Sequence, residues 1–331
     1  MSKFKINSIT DRSGYCGPVI SGVSTNNSTG CMIIPAGPTE HRGGRGRGVI
    51  GGGLTIPAST QINTLNLITI ATTGDATDFG DLSYGNAYRG GLASSTRGIF
   101  ANGQGDATYD YVTISSQGGV NDFGEALSNH MGGATFNNST RGFRAGGSDP
   151  SQTSNIMGMI IASTGSFYNA GDLTVVGVYM NGASSPTRGI SFGGTNPGGT
   201  IIYKNIDVFT MATGGGAIKF GELATERKYP DTAGNTVRAL AAGGSQPSTL
   251  NSIEFVTIAT DGNAQDFGDL HSATSTGKSG SVSSSTRGIF SGFYPANTAR
   301  MDFVTITSEG NAPPNEIPRV EELAPLMYIP T

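Results

Sequence analysis

The chain has 331 residues, of which 52 are glycine and 15 proline, while charged residues make up only 13% and the formal net charge is −4. Glycine and proline in helix interiors cost about 1 and about 3 kcal/mol relative to alanine, which excludes a helical bundle; the low net charge excludes a charge-rich disordered chain, and the lack of a three-residue glycine period excludes collagen. A pI near 5.4 and the absence of a long basic cluster leave nucleic-acid binding without an electrostatic footing, so an all-β protein with many tight turns and a sizeable core is expected.

Residues 1–40 match no repeat and read as an N-terminal arm, with Val19-Ile20-Ser21-Gly22-Val23 and Cys31-Met32-Ile33-Ile34 as short strands. Such strands have edges that need partners, which points to a homo-oligomer. The start of the arm is basic, but no apolar core follows it, so it is not a secretory signal. No run of about 18 apolar residues occurs anywhere, and no membrane insertion is expected. Cys16 and Cys31 lack CxxC spacing and histidine neighbours and make no zinc site. A disulfide between them stays open, with two unpaired residues as the favoured reading. The RGGRGR run at 42–47 has the composition to touch RNA or phosphate, and reads better as a flexible approach to the first strand.

From residue 41 to 331 the sequence repeats. Arg47, Arg97, Arg141, Arg188, Arg238 and Arg287 recur at steps of 44 to 50 residues, each within a motif such as Thr96-Arg97-Gly98-Ile99-Phe100. A β-branched and aromatic run follows each arginine, for example Tyr111-Val112-Thr113-Ile114, and reads as a strand. A glycine closes each run, and seven residues beyond five of these glycines lies an acid: Asp81, Glu125, Asp172, Glu222 or Asp269. Between that acid and the next arginine sits a strand of small residues, such as Gly90-Gly91-Leu92-Ala93. Four short strands in about 48 residues are one propeller blade, and small residues suit the innermost strand, crowded around a narrow axis. The expected fold is a six-bladed β-propeller with four-stranded blades, preferred over a linear solenoid because solenoid coils keep a stricter period. The last copy has Pro313, Pro314, Glu316 and Pro318 where its outer strand belongs, so closure is expected to join the region after Gly310 to residues around 31–50.

The recurring arginine and acid read as one ion pair or hydrogen-bond link per blade, tying neighbouring modules together, since the arginine fork satisfies carboxylates and carbonyls alike. The three DFG strings, at 78–80, 122–124 and 266–268, have no other kinase element beside them and read as a strand plus turn. His41, His130 and His271 make no metal spacing. A glycosidase-like acid pair would break the repeat symmetry, which these acids follow. No catalytic residue, metal or cofactor is therefore assigned, and the chain is not expected to be an enzyme. Variable positions carry tyrosines (Tyr84, Tyr88, Tyr109, Tyr168, Tyr203, Tyr229 and Tyr294) suited to recognising a glycan or protein. Packing between blades is an equal alternative for them.

The repeat TRG[IV]F-x-G followed by [DE][YF]VTIA-T-x-G-NA-x-DFGDL resembles the kelch-like repeat proteins of tailed bacteriophages, especially those infecting marine cyanobacteria. Asn263-Ala264-Gln265-Asp266-Phe267-Gly268-Asp269-Leu270 is close to that family's consensus. Phe4-Lys5-Ile6-Asn7-Ser8-Ile9, the stretch Gly17 to Thr25, and Pro38-Thr39-Glu40-His41-Arg42-Gly43-Gly44 are similar to its N-terminal region. The third copy departs, with Tyr168-Asn169-Ala170 at the DF position, and the chain lacks the tryptophan of cellular kelch repeats. The resemblance implies a virion structural protein, tail-fibre or adhesin-like, whose arm binds other virion proteins while the propeller is displayed for host-surface binding. Alternatives are a purely architectural head or tail decoration without a receptor, and a sugar-binding lectin.

Overall fold

The computed structural model describes residues 46–312, apart from 55–59, 102, 106, 129, 149–150, 275–279 and 294–297, together with the pieces 24–25, 32–33 and 314–315. The cysteines, His41, most of the arm and of the 42–47 run, and Tyr294 lie outside the described residues. Near the N-terminus β1 (Ser24–Thr25) pairs antiparallel with β2 (Met32–Ile33).

Six antiparallel sheets follow. Blade I contains β3 (Arg47–Leu54), β4 (Gln61–Thr69) and β5 (Thr77–Asp81). Blade II runs outward from the axis through β6 (Gly90–Ala93), β7 (Arg97–Ala101), β8 (Thr108–Thr113) and β9 (Asn121–Glu125). Blade III repeats this with β10 (Ala134–Asn137), β11 (Arg141–Ala145), β12 (Asn155–Ile160) and β13 (Tyr168–Asp172). Blade IV has β14 (Asn181–Ser184), β15 (Arg188–Phe192), β16 (Asn205–Thr210) and β17 (Ile218–Glu222). Blade V has β18 (Asp231–Gly234), β19 (Arg238–Ala242), a short β20 (Ser245–Gln246), β21 (Ser248–Thr257) and β22 (Gln265–Thr274). Blade VI has β23 (Gly280–Ser283), β24 (Arg287–Phe293), β25 (Thr298–Thr305) and β26 (Pro314–Asn315). The inner strands β6, β10, β14, β18 and β23 lie side by side, and β23 lies against β3. The chain is a six-bladed β-propeller.

Each repeated motif has a local cause. Between the first two strands of a blade a side-chain oxygen caps the hairpin. Ser94 accepts from the backbone N–H of Arg97, Asn138 from Arg141, Ser185 from Arg188, Asn235 from Arg238 and Ser284 from Arg287, at 2.8–3.1 Å. The DFG element is a bulge in the outer strand: Leu65 pairs with Gly80 and Asn66 with Asp78, so Phe79 is the extra residue and turns inward, 3% exposed. Its aspartate accepts from the glycine N–H, as Asp122 does from Gly124 at 2.8 Å, a local turn that short acidic side chains favour. The glycine is a point of close approach between blades. At Gly171, with φ +141°, a Cβ would run into the backbone carbonyl of Gly215 in the next blade.

The core lies between blades rather than within them. Six apolar clusters occupy the six seams, from Val49, Leu65, Phe100 and Val112 at I–II to Ile50, Ile68, Val282 and Ile289 at VI–I. Sterics at the seam explain the glycine after the repeated arginine. Leu92, Phe136 and Val282 on the inner strands sit against Gly142, Gly189 and Gly48 of the following blade. Where Ala239 replaces that glycine, the facing inner residue is the small Ala183 in the same cluster.

One expectation needs correction. Blade VI keeps a fourth strand, because Pro314 and Asn315 pair with Asp302 and Met301; a proline is tolerated there since an outermost strand needs no outward N–H donor. The described closure contacts run between blade VI and residues 48–70 of blade I; most of residues 31–45 and of the region after Gly310, where the expected closure falls, lies outside the described residues.

Candidate functional site

The six repeated arginines occupy equivalent places. Each starts the second strand of its blade, or in blade I the equivalent strand β3, and reaches the carbonyls just past the third strand of the next blade, or past the equivalent β4 of blade I. Arg97 Nη1 donates to the Ile161 and Ala162 carbonyls at 3.2 and 3.0 Å. Arg47 reaches Ile114 and Ser115, Arg141 reaches Met211 and Ala212, and Arg188 reaches Ile258 and Ala259. Arg238 donates to the Ile306 carbonyl. Arg287 donates to the Ile70 carbonyl at 3.2 Å, so the ring closes with the same bond that joins every other pair of blades. Arg97, Arg238 and Arg287 also stack over Tyr111, Phe255 and Phe303 of their own blade, each 4.4 Å from the ring centre.

The expected carboxylate partners are not there. Asp81, Glu125, Asp172 and Glu222 are exposed at the end of the outer strand, the place farthest from the arginines. Among the described residues none of the five acids, Asp269 included, pairs with a repeated arginine; Glu222 pairs with Lys219, which holds its carboxyl below the usual range, and Asp172 accepts from Ser154. The two carboxylates the arginines do meet, Asp261 and Glu309, lie in the turns beside those carbonyls, each at 3.0 Å.

A different acid, buried in the third strand, does the linking that the sequence spacing assigned to the exposed one. Asp110, Asp207, Glu254 and Asp302 are 0–4% exposed, and each accepts from the backbone of the chain as it leaves the outer edge of the previous blade. Ser83 donates to Asp110 through N and Oγ at 3.2 and 2.7 Å, and Thr174 to Asp207 at 2.9 and 2.6 Å. Ala224 and Thr225 donate to Glu254, and the N–H of His271 to Asp302 at 2.9 Å. Burial pushes the Asp302 carboxyl up, against the pull of Arg300. The signal stood in the sequence as the leading [DE] of the [DE][YF]VTI run.

The tyrosines divide. Tyr109 is not in a loop: it lies in β8, fully buried, so it offers no surface. Tyr84 packs under Arg89, 4.7 Å from ring centre to guanidinium. Tyr168 covers the flat backbone of Gly158, and Tyr203 donates to the Val176 carbonyl at 3.1 Å. Tyr88 and Tyr229 meet a residue the sequence reading passed over, Tyr179. Each of the three stands two residues ahead of an inner strand, with φ of +57°, +61° and +56° for Tyr88, Tyr179 and Tyr229. For a bulky residue that conformation costs on the order of 1–3 kcal/mol. Ring centres lie 5.8, 6.4 and 4.3 Å apart. Since Tyr88 leads into blade II and Tyr229 into the opposite blade V, the rings meet over the axis and cap one end of it. All three are half-buried.

Beneath this cap the repeat symmetry breaks a second time. Arg144 stands in β11 where other copies have Ile50, Phe100, Ser191, Ala241 or Phe290, and it is fully buried. Its Nε donates to the His130 carbonyl at 2.9 Å and Nη2 to the Tyr88 carbonyl at 3.0 Å. Arg89, 6% exposed, donates from Nη2 to the Tyr84 carbonyl. Burial, with the nearby Arg89 charge, lowers Arg144 to about 10. Among the described residues no cluster of His, Cys, Asp and Glu has the grouping of a metal site. His130 is instead held by the Gly146 carbonyl and the Ser128 hydroxyl.

Fold and site together define a closed propeller whose repeated charges bind its blades to one another and whose irregular residues gather at one end of the axis. Neither a protein-family model nor a curated protein matches the sequence.

Proposed function

We propose that this chain is a non-catalytic structural protein of a tailed-phage particle, tail-fibre or adhesin-like, which displays its propeller for binding to a host-surface glycan or protein. The tyrosine cap carries the reading. Three aromatic rings are held in a strained backbone at one end of the axis, in an arrangement that blade packing elsewhere does without. Aromatic faces with polar tips are suited to sugar and protein surfaces. The motif resemblance supplies the biological setting: the virion as location, the arm at 1–40 as the contact with other virion proteins, and a homo-oligomeric assembly. The seams make the display body stiff, because each repeated arginine is spent on a neighbouring blade.

The purified chain, fluorescently labelled, is expected to stain cells of a marine cyanobacterial host, and Y179S to lose most of the staining while the melting temperature stays near that of the wild type. Binding to phage particles but not to cells would establish the architectural alternative instead, and selective capture on a glycan array would identify a lectin.

A further inference from the structure

Between blades II and III the chain buries a positive charge without a negative one. Arg144 is 0% exposed and forms no ion pair among the described residues. Its side chain and that of Thr135 crowd the place where a Cβ on Gly90 would stand. Three buried polar atoms of this seam have no partner: Arg144 Nη1, the Tyr109 hydroxyl and Thr135 Oγ1. Every one of them has a hydrogen to donate. Tyr109 breaks the repeat as Arg144 does, since its position holds Leu65, Ile156, Ile206, Ile253 or Met301 elsewhere. Burial raises its phenol, and the Arg144 charge pulls the other way, which places the two groups in each other's field.

Buried polar atoms are paired in folded proteins, and an unpaired buried charge costs several kcal/mol even after relaxation. Water would satisfy the donors and leave the charge. A carboxylate answers the same problem at Arg227 in this molecule, and none does so here. We propose that Tyr109, Thr135 and Arg144 form an internal site for a small monovalent anion, chloride, enclosed at the seam of blades II and III. The close packing of Arg144 and Thr135 on Gly90 favours a single-atom anion over sulfate or phosphate.

The test uses the full chain, exchanged into gluconate and then titrated with chloride at constant ionic strength. The melting temperature is expected to rise and saturate with chloride and to stay flat with gluconate or sulfate, as binding to the folded state alone requires. R144M is expected to abolish the chloride response. Should R144M not fold, Y109F removes one donor and is expected to shift the chloride midpoint about fivefold upward, the loss of one hydrogen bond. Crystals grown with bromide are expected to give an anomalous peak beside Arg144 Nη1. Equal stabilisation by gluconate, an unchanged response in R144M, an unchanged midpoint in Y109F, or density that fits water without an anomalous signal would each overturn the proposal.

Discussion

Arg227 and Arg144 are both fully buried in this ring, one where blade IV passes to blade V and the other between blades II and III, and their surroundings are opposite. Arg227 forms an ion pair with the carboxylate of Glu254, and its remaining donors reach the Gly243 and Ser252 carbonyls at 2.9 and 3.0 Å and the Ser252 hydroxyl at 3.1 Å. Glu254 is itself one of the repeated buried acids, so the extra charge entered where the repeat already held its opposite. Arg144 entered blade III, whose copy has Met157 in place of that acid. The difference teaches that a repeat fold tolerates a buried charge cheaply where the repeat supplies its partner, and elsewhere only with help from outside the chain.

The comparison is easiest to break at Glu254. E254A strips Arg227 of its partner and leaves the Ala224 and Thr225 N–H groups without an acceptor; a loss of about 3–5 kcal/mol is expected, read as a fall in denaturant midpoint. A seam without a buried arginine sharpens the contrast. G171A places a methyl group against the Gly215 carbonyl and is expected to cost about 1–3 kcal/mol, a purely steric effect that does not respond to the anion present. R287M deletes the donor that closes the ring, and a loss of about 1–2 kcal/mol is expected from thermal unfolding; R97M should match it, since all six seams share the bond. The smallest effect is on pH. Burial and mutual repulsion hold the Tyr88 and Tyr229 phenols above their ordinary value near 10. Folded values above unfolded ones mean stability fully present below pH about 10 and lost as pH rises further. The tyrosinate absorbance of these two residues, taken as the difference from a Y88F/Y229F variant, is therefore expected to appear together with unfolding rather than ahead of it.

Much of the fold was legible because the ring is written in spacing. The period, the small inner strands and the arginine appear as regular intervals along the chain, and each reflects a contact made alike at every seam. The linking acid was harder to read. Asp81 and Asp110 recur equally well, and regularity cannot say which faces solvent; that depends on the bulge at Phe79 and on hydrogen bonds spanning about thirty residues of sequence. Tyr109 reads as a variable loop aromatic until the register of β8 turns it inward. The tyrosine cap depends on blades II and V being opposite, a relation that exists only once the ring has closed.

The bond from Arg287 to Ile70 carries one more consequence. Where the chain starts and stops has no special place in a ring whose closing seam repeats the other five. A circular permutant with residues 46 and 315 joined by a flexible linker, and new ends cut in the β7–β8 connector, should therefore assemble the same body. Evolution would be free to slide such a ring's ends around its rim, choosing the point at which it is tethered to whatever carries it.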